Sequence, residues 1–146
     1  MAADPREPAL ALRFSVTIGS FTIERFTACD GMTAEYEVEE YREGGQGGYV
    51  HKLPVRLRHT NVRLTRPIDK DSGAIASWFS MTQTRPSRQD AVITAYDGNG
   101  AEVAHWDLVG AWPVKYTGPS LSSGSVLAAT EVIELAHNGF STKVAR

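Results

Sequence analysis

The chain has 146 residues and one cysteine, enough for a single domain with a real core but not for an intrachain disulfide. A hydrophobic content of 42% against 22% charged residues excludes intrinsic disorder, and a net charge of −2 gives no support for a nucleic-acid binder. The charge is segregated along the chain. Residues 1–50 carry 9 acidic and 4 basic groups, whereas residues 51–70 carry 1 acidic and 6 basic, so an acidic segment meets a basic one.

Residues 1–11 hold two prolines and three charges and are read as an N-terminal arm to a single domain over 12–146. This start has no basic and apolar leader pattern, and no run approaches the roughly 18 apolar residues of a spanning helix. The chain is therefore expected to be made and assembled in the cytoplasm, and to leave a cell only within something larger. Leu12 to Ile18 alternates Leu12, Phe14, Val16 and Ile18 with polar residues, the period of a strand. After Gly19-Ser20, Phe21 to Phe26 alternates again, with Phe21, Ile23 and Arg25 sharing one face. Cys29 precedes the turn signal Asp30-Gly31 and reads as a structural thiol, since no histidine pattern nearby would activate it.

Thr33 to Tyr41 places Glu35, Glu37 and Glu39 on one face and Ala34, Tyr36 and Val38 on the other. A glutamate-rich helix competes here, but the apolar residues follow period two and favour a strand. Gly44, Gly45, Gly47 and Gly48 form a loop without the Lys-Ser/Thr that a phosphate-binding loop requires. Leu53 to His59 and Asn61 to Arg66 then form two strands, with Arg56, Arg58 and Arg63 on their polar faces. These basic faces either neutralise the acidic strand on one solvated surface or meet it across a subunit boundary, where complementary charge fixes register. The sequence leaves both readings open.

One helix is predicted. Asp71 or Ser72 caps it, Ile75, Trp78 and Phe79 make its apolar stripe, and Arg85-Pro86 closes it. Ala91 to Tyr96 is a strand, Asp97-Gly98-Asn99-Gly100 a hairpin turn, and Glu102 to Val109 the return. Gly110 separates that strand from Ala111 to Tyr116, and Val126 to Ala136 closes the series. The fold class expected is mainly β: a small antiparallel β-barrel or sandwich of about seven or eight strands with one flanking α-helix.

No catalytic constellation is visible, so no enzyme, cofactor or metal site is assigned. His51, His59, His105 and His137 lack ligand spacing, and His105 with Asp107 supplies only two groups. Ser120, Ser122, Ser123 and Ser125 lack a nucleophile elbow, and Trp106 and Trp112 read as core residues of adjoining strands.

Longer patterns resemble a known family. Asp97, Gly100, Trp106, Ala111, Trp112, Pro113, Lys115, Gly118, Pro119 and Leu121 match the hairpin, "A-W-P-x-K" and "G-P-x-L" run of phage tail-tube proteins of contractile injection systems. Glu131 to Phe140 is similar to that family's closing "E-x-hydrophobic-E-L-x-H-x-G". Asn61 to Arg66, the Lys52-Leu53-Pro54 run and Asp30-Gly31-Met32 agree with its first half. Val55 and Pro67 stand where the family often has glycine. The resemblance implies a structural subunit of an inner tube. Hexameric rings stack into a hollow tube that a contracting sheath drives out, with sheath and baseplate proteins as partners and protein cargo in the lumen. The subunit is either the bulk ring or a tube-initiating ring at the baseplate. On this reading the interface residues are Glu35, Glu37, Glu39, Gly44, Gly45, Gly47, Gly48, Arg56, Arg58 and Arg63. A ligand-binding β-barrel of lectin or lipocalin type, with a pocket inside the barrel, is the reading from another class, followed by a serine hydrolase assembled by folding.

Overall fold

The computed structural model describes residues 13–19, 21–42, 44, 48, 50–70, 72–84, 88–124 and 129–144. The expected arm, Gly45 and Gly47 lie outside them. Ten strands and one helix follow in order: β1 (Arg13–Ile18), β2 (Phe21–Phe26), β3 (Ala28–Asp30), β4 (Ala34–Tyr41), β5 (His51–His59), β6 (Val62–Pro67), α1 (Gly73–Thr84), β7 (Gln89–Tyr96), β8 (Glu102–Thr117), β9 (Thr130–Ala136) and β10 (Phe140–Val144).

Two antiparallel layers share long strands at their corners. One layer runs β2-β1-β7-β8 with β10 on the far side of β8, and the other runs β8-β9-β6-β3. The strand β8 belongs to both: residues 104–108 pair with β10, whereas 112–117 pair with β9. At the opposite corner the chain changes partner at Thr27. Residues before it pair with β1 and residues after it with β6, while the Thr27 amide donates to the Thr65 carbonyl at 2.9 Å. Strands that change sheet at bends are how two crossed layers enclose one core. Val16, Ile18, Ile23, Phe26, Val62, Leu64, Ile93, Leu108, Ile133 and Leu135 fill that core from both layers. The expected barrel or sandwich with one helix is the architecture found.

The helix behaves as its stripe predicts. Ile75 and Trp78 are buried on the body, with Phe79 beside them and stacked obliquely on Tyr116. Ser72 stands at its head and its hydroxyl accepts the Asp69 amide at 2.8 Å.

Three local expectations need correction. Arg25 does not share the face of Ile23. It sits at φ 68 in a bulge opposite Ser15 that adds one residue to β2, so Phe26 turns inward and Arg25 outward to Asp69 at 3.3 Å. Gly110 does not end a strand either. It adopts φ +61 in a bulge within β8, its amide donates to Asp90 Oδ1, and a β-carbon there would press on the Asn138 amide. The third is an omission: Phe140–Val144 forms β10, and Ala28–Asp30 forms β3. Gly31 fixes the exit from β3 at φ +89, where a β-carbon would run into the Asn61 carbonyl.

Candidate assembly surface

The strands β4 and β5 pair only with each other, apart from the main layers. Their register sets Glu35 opposite Arg58, Tyr36 opposite Leu57, Glu37 opposite Arg56, Val38 opposite Pro54 and Glu39 opposite Leu53, with Val55 the extra residue of a bulge. Cross-strand partners share a face. One face therefore carries Glu35, Glu37, Glu39, Arg56 and Arg58 together with Leu53 and Tyr41, and the other carries Tyr36, Val38, Pro54 and Leu57. Every residue of β4 is exposed, as is β5 between its terminal histidines.

Exposure on both faces is costly for such a sequence. Tyr36, Val38, Tyr41, Leu53, Val55 and Leu57 each leave between 46% and 58% of their surface in water. A two-stranded ribbon is at best marginally stable alone, and a continuous exposed apolar patch marks a contact surface. The same alternation that builds buried strands elsewhere in this chain here presents an unburied apolar face.

The charged face is already engaged within the chain. Glu37 accepts from Arg58 at 3.0 Å and lies 3.9 Å from Arg56. Both arginines and Glu37 are well exposed to water, so the pairs contribute about 0.2–1 kcal/mol each. Arg63 does not join them. It lies on β6 between Asp30 and Glu134, away from the hairpin. Glu39 faces Leu53, not an arginine. Gly44 and Gly48 lie at the hairpin end, with open space where a β-carbon would stand.

Beneath the surface lies a polar network that the sequence did not announce. Arg66 and Glu131 are each 1% exposed, and Arg66 Nε stands 3.7 Å from Glu131 Oε1. Arg66 also donates to Asp69 at 2.9 Å, and the Tyr116 hydroxyl donates to Glu131 at 2.9 Å. Burial, the bond to Glu131 and that carboxylate's charge all push the Tyr116 phenol above its usual range. Charges this deep require partners: Arg66 has Glu131 and Asp69, and Glu131 has Arg66 and the Tyr116 hydroxyl. They join β6, β8, β9 and the approach to α1, and the network is structural.

Burial, aided by the Asp30 carboxylate, pushes the Cys29 thiol up to about 12, so it is not a nucleophile at neutral pH. His105 pairs with Glu102 at 2.7 Å, and Asp107 lies 3.7 Å from Lys143. Among the described residues no cluster of three His, Cys, Asp or Glu could hold a metal ion. Trp106 packs against the core, and Trp112 is half-buried on the same strand. An open apolar cleft of about 220 Å³ lies beside α1, lined by Ile18, Phe21, Trp78 and Met81. It is a surface feature, not the pocket inside the barrel that a lipocalin-like reading requires.

Two β layers that share β8, one helix against them and a ribbon paired apart from both make up the fold. The chain superposes on a protein of the PVC sheath-tube complex of an extracellular contractile injection system with a TM-score of 0.81, at 24% identity, covering 97% of this chain and 95% of that one. It matches the tube-terminating cap of the anti-feeding prophage with a TM-score of 0.79 at 24% identity, over 99% and 97% of the two chains. Hcp1 from Salmonella typhimurium gives 0.57 at 16% identity, over 92% and 87%. No curated protein matches the chain in sequence. Residues 10–141 match the family of T4-like virus tail tube protein gp19, and the chain belongs to that family.

Proposed function

We propose that this chain is the inner-tube subunit of a contractile injection system, closing into hexameric rings that stack into a hollow tube. Family membership supports the tube role, and one structural observation carries the assembly: the β4–β5 hairpin exposes an apolar and a charged face that no other described residues cover. A second copy supplies the cover. Its apolar surface buries Tyr36, Val38 and Leu57, while Glu35, Glu39 and the Arg56–Glu37–Arg58 cluster set register. Ring closure also occupies the free edges of β2, β3 and β10, which would otherwise invite uncontrolled pairing. The glycines Gly44 and Gly48 have room to reshape as the hairpin end meets its neighbour. Sheath and baseplate proteins are the expected outer partners, protein cargo is the expected content of the lumen, and assembly is expected in the cytoplasm. The subunit acts by structure, without catalysis or cofactor.

Negative-stain microscopy of the purified chain over a range of concentrations tests this. Stacked rings of indefinite length are expected of the bulk tube subunit, whereas rings that never stack would mark an initiating ring. A strict monomer at every concentration, also in the presence of a tube-initiating baseplate, would overturn the proposal.

A further inference from the structure

Among the described residues the hairpin joins the body where the chain leaves at Gly31–Thr33 and returns at Thr60–Asn61. Thr60 ties the two passes together: its amide donates to the Thr33 carbonyl at 3.3 Å and its hydroxyl to the Gly31 carbonyl at 2.6 Å. Against this joint lies a cluster of three rings. His59 ends β5, His137 follows β9 and Phe140 begins β10. The His59 and His137 centroids are 5.4 Å apart, and Phe140 stands edge-on to both at 5.7 and 5.9 Å. The cluster is a side-chain link between the hairpin and the body.

Hydrogen bonding fixes the protonation of one ring. His137 Nε2 lies 3.0 Å from the Thr60 carbonyl, and its Nδ1 accepts the Gly139 amide at 3.2 Å. A carbonyl only accepts and an amide N–H only donates, so the ring that satisfies both is neutral with its proton on Nε2. A second proton on Nδ1 would confront the Gly139 N–H and break that bond. His59 Nδ1 is buried without a hydrogen-bond partner, so a proton placed there would find no acceptor. The joint is built for an uncharged His137.

The charged surroundings offer no relief. The titratable group facing His137 is His59, and from β10 the cluster meets Phe140 and Gly139, neither of which titrates. The ionisable groups of the packed strands are engaged elsewhere. Arg58 of β5 holds Glu37, Glu134 of β9 lies 3.9 Å from Lys115, and Asp107 of β8 lies 3.7 Å from Lys143 of β10. Arg63 of β6 stands across from Asp30 and Glu134. Among the described residues no carboxylate pairs with either ring.

We propose that His59 and His137 form a proton-operated joint, which fixes the β4–β5 hairpin to the body while His137 is neutral and frees it when His137 takes a second proton. Burial holds His137 below the ordinary histidine range, and a charge on His59 would lower it further, against the opposing pull of the Thr60 carbonyl. The sign follows from linkage. With the folded value depressed, the unfolded chain binds the proton more readily. The stabilising contribution is therefore complete above the ordinary value of about 6.5 and is lost as pH falls through the folded value. If the hairpin is the assembly surface proposed above, on which this consequence rests, acid loosens ring contacts at their root and a tube formed at neutral pH comes apart.

Hydrogen exchange read by mass spectrometry on the full chain at pH 7.5 and 5.0, corrected for intrinsic rates, tests the joint. Peptides containing Thr60 and Gly139 are expected to lose at least about tenfold protection at the lower pH while those of β7 hold theirs. His137→Asn keeps an acceptor for the Gly139 amide and cannot titrate, so its protection is expected to be the same at both values. Equal protection of the parent chain at the two pH values, or an equal loss in H137N, overturns the proposal. Should H137N fail to fold, an NMR titration of the parent's histidine rings decides. A His137 midpoint below the ordinary range supports the joint, and one at the ordinary value, unaffected by His59→Phe, refutes it. Sedimentation of the same samples separates the two claims. A joint that responds in a chain that never assembles refutes the interface alone, whereas an assembling chain with unresponsive exchange refutes the joint alone.

Discussion

Replacing Glu131 with alanine tests the internal logic of the fold. The substitution leaves the Arg66 guanidinium, 1% exposed, with Asp69 as its remaining carboxylate partner, and it strips the Tyr116 hydroxyl of its acceptor. Breaking one side of a buried ion pair costs about 3–5 kcal/mol, because the surviving charge stays desolvated. For a chain of this size each kcal/mol moves the melting midpoint by about 2–4 °C, so E131A is expected to melt about 6–20 °C lower. Removing both charges separates charge from packing. An Arg66→Met/Glu131→Leu double variant fills the same space and leaves Asp69 its bond to Arg25 at 3.3 Å. Its residual cost is about 1–2 kcal/mol, chiefly the orphaned Tyr116 hydroxyl. Calorimetry, with urea titration as a second probe, reads both variants. An E131A midpoint within a degree or two of the parent, or a double variant no better than E131A, would refute the view that these two charges hold each other in the core.

Two further outcomes follow from the geometry. Gly31→Ala combines a left-handed backbone at φ +89 with a collision against the Asn61 carbonyl, so a loss of more than about 2 kcal/mol is expected in urea titration; a loss under about 0.5 kcal/mol would contradict the close approach. Cys29, its thiol pushed up to about 12, is expected to react only slowly with a thiol reagent at pH 8 in the native chain and completely in urea. Fast labelling of the native chain would place the thiol at the surface.

Much of the fold could be read from alternation. The strands β1 and β6 bury apolar members of their period-two patterns, and α1 buries Ile75 and Trp78. What escaped reading has specific causes. The bulge at Arg25 shifts the phase of β2, and a positive φ at a non-glycine residue leaves no compositional mark. Gly110 looks like a terminator, but a hydrogen bond from its amide to Asp90 and the bonds between Val109 and the Asn138–Gly139 segment carry the strand across it. The Phe140–Val144 strand has too little alternation to register. Arg66 and Glu131 look like surface residues because the partner that permits each burial lies far away in the chain. The hairpin fails in the opposite sense. Tyr36, Val38 and Leu57 alternate like any core strand, yet no part of the described chain covers them. Alternation reports that a face is meant to be buried and is silent on whether the same molecule buries it. Of the expected interface set, the register keeps Glu35, Glu37, Glu39, Arg56 and Arg58 on one face of the hairpin and places Arg63 on the body.

The most direct measurement of the central claim is the sedimentation of a Leu57→Asp variant beside the parent chain. Leu57 is 46% exposed in the single subunit, so the substitution should leave folding within about 1 kcal/mol of the parent. On the proposed assembly the same aspartate falls in the apolar face that a second copy would cover, so it should abolish the rings and stacks expected of the parent. A variant that stays folded and assembles as the parent does would contradict the account, because the hairpin's apolar face would then have no part in building the tube.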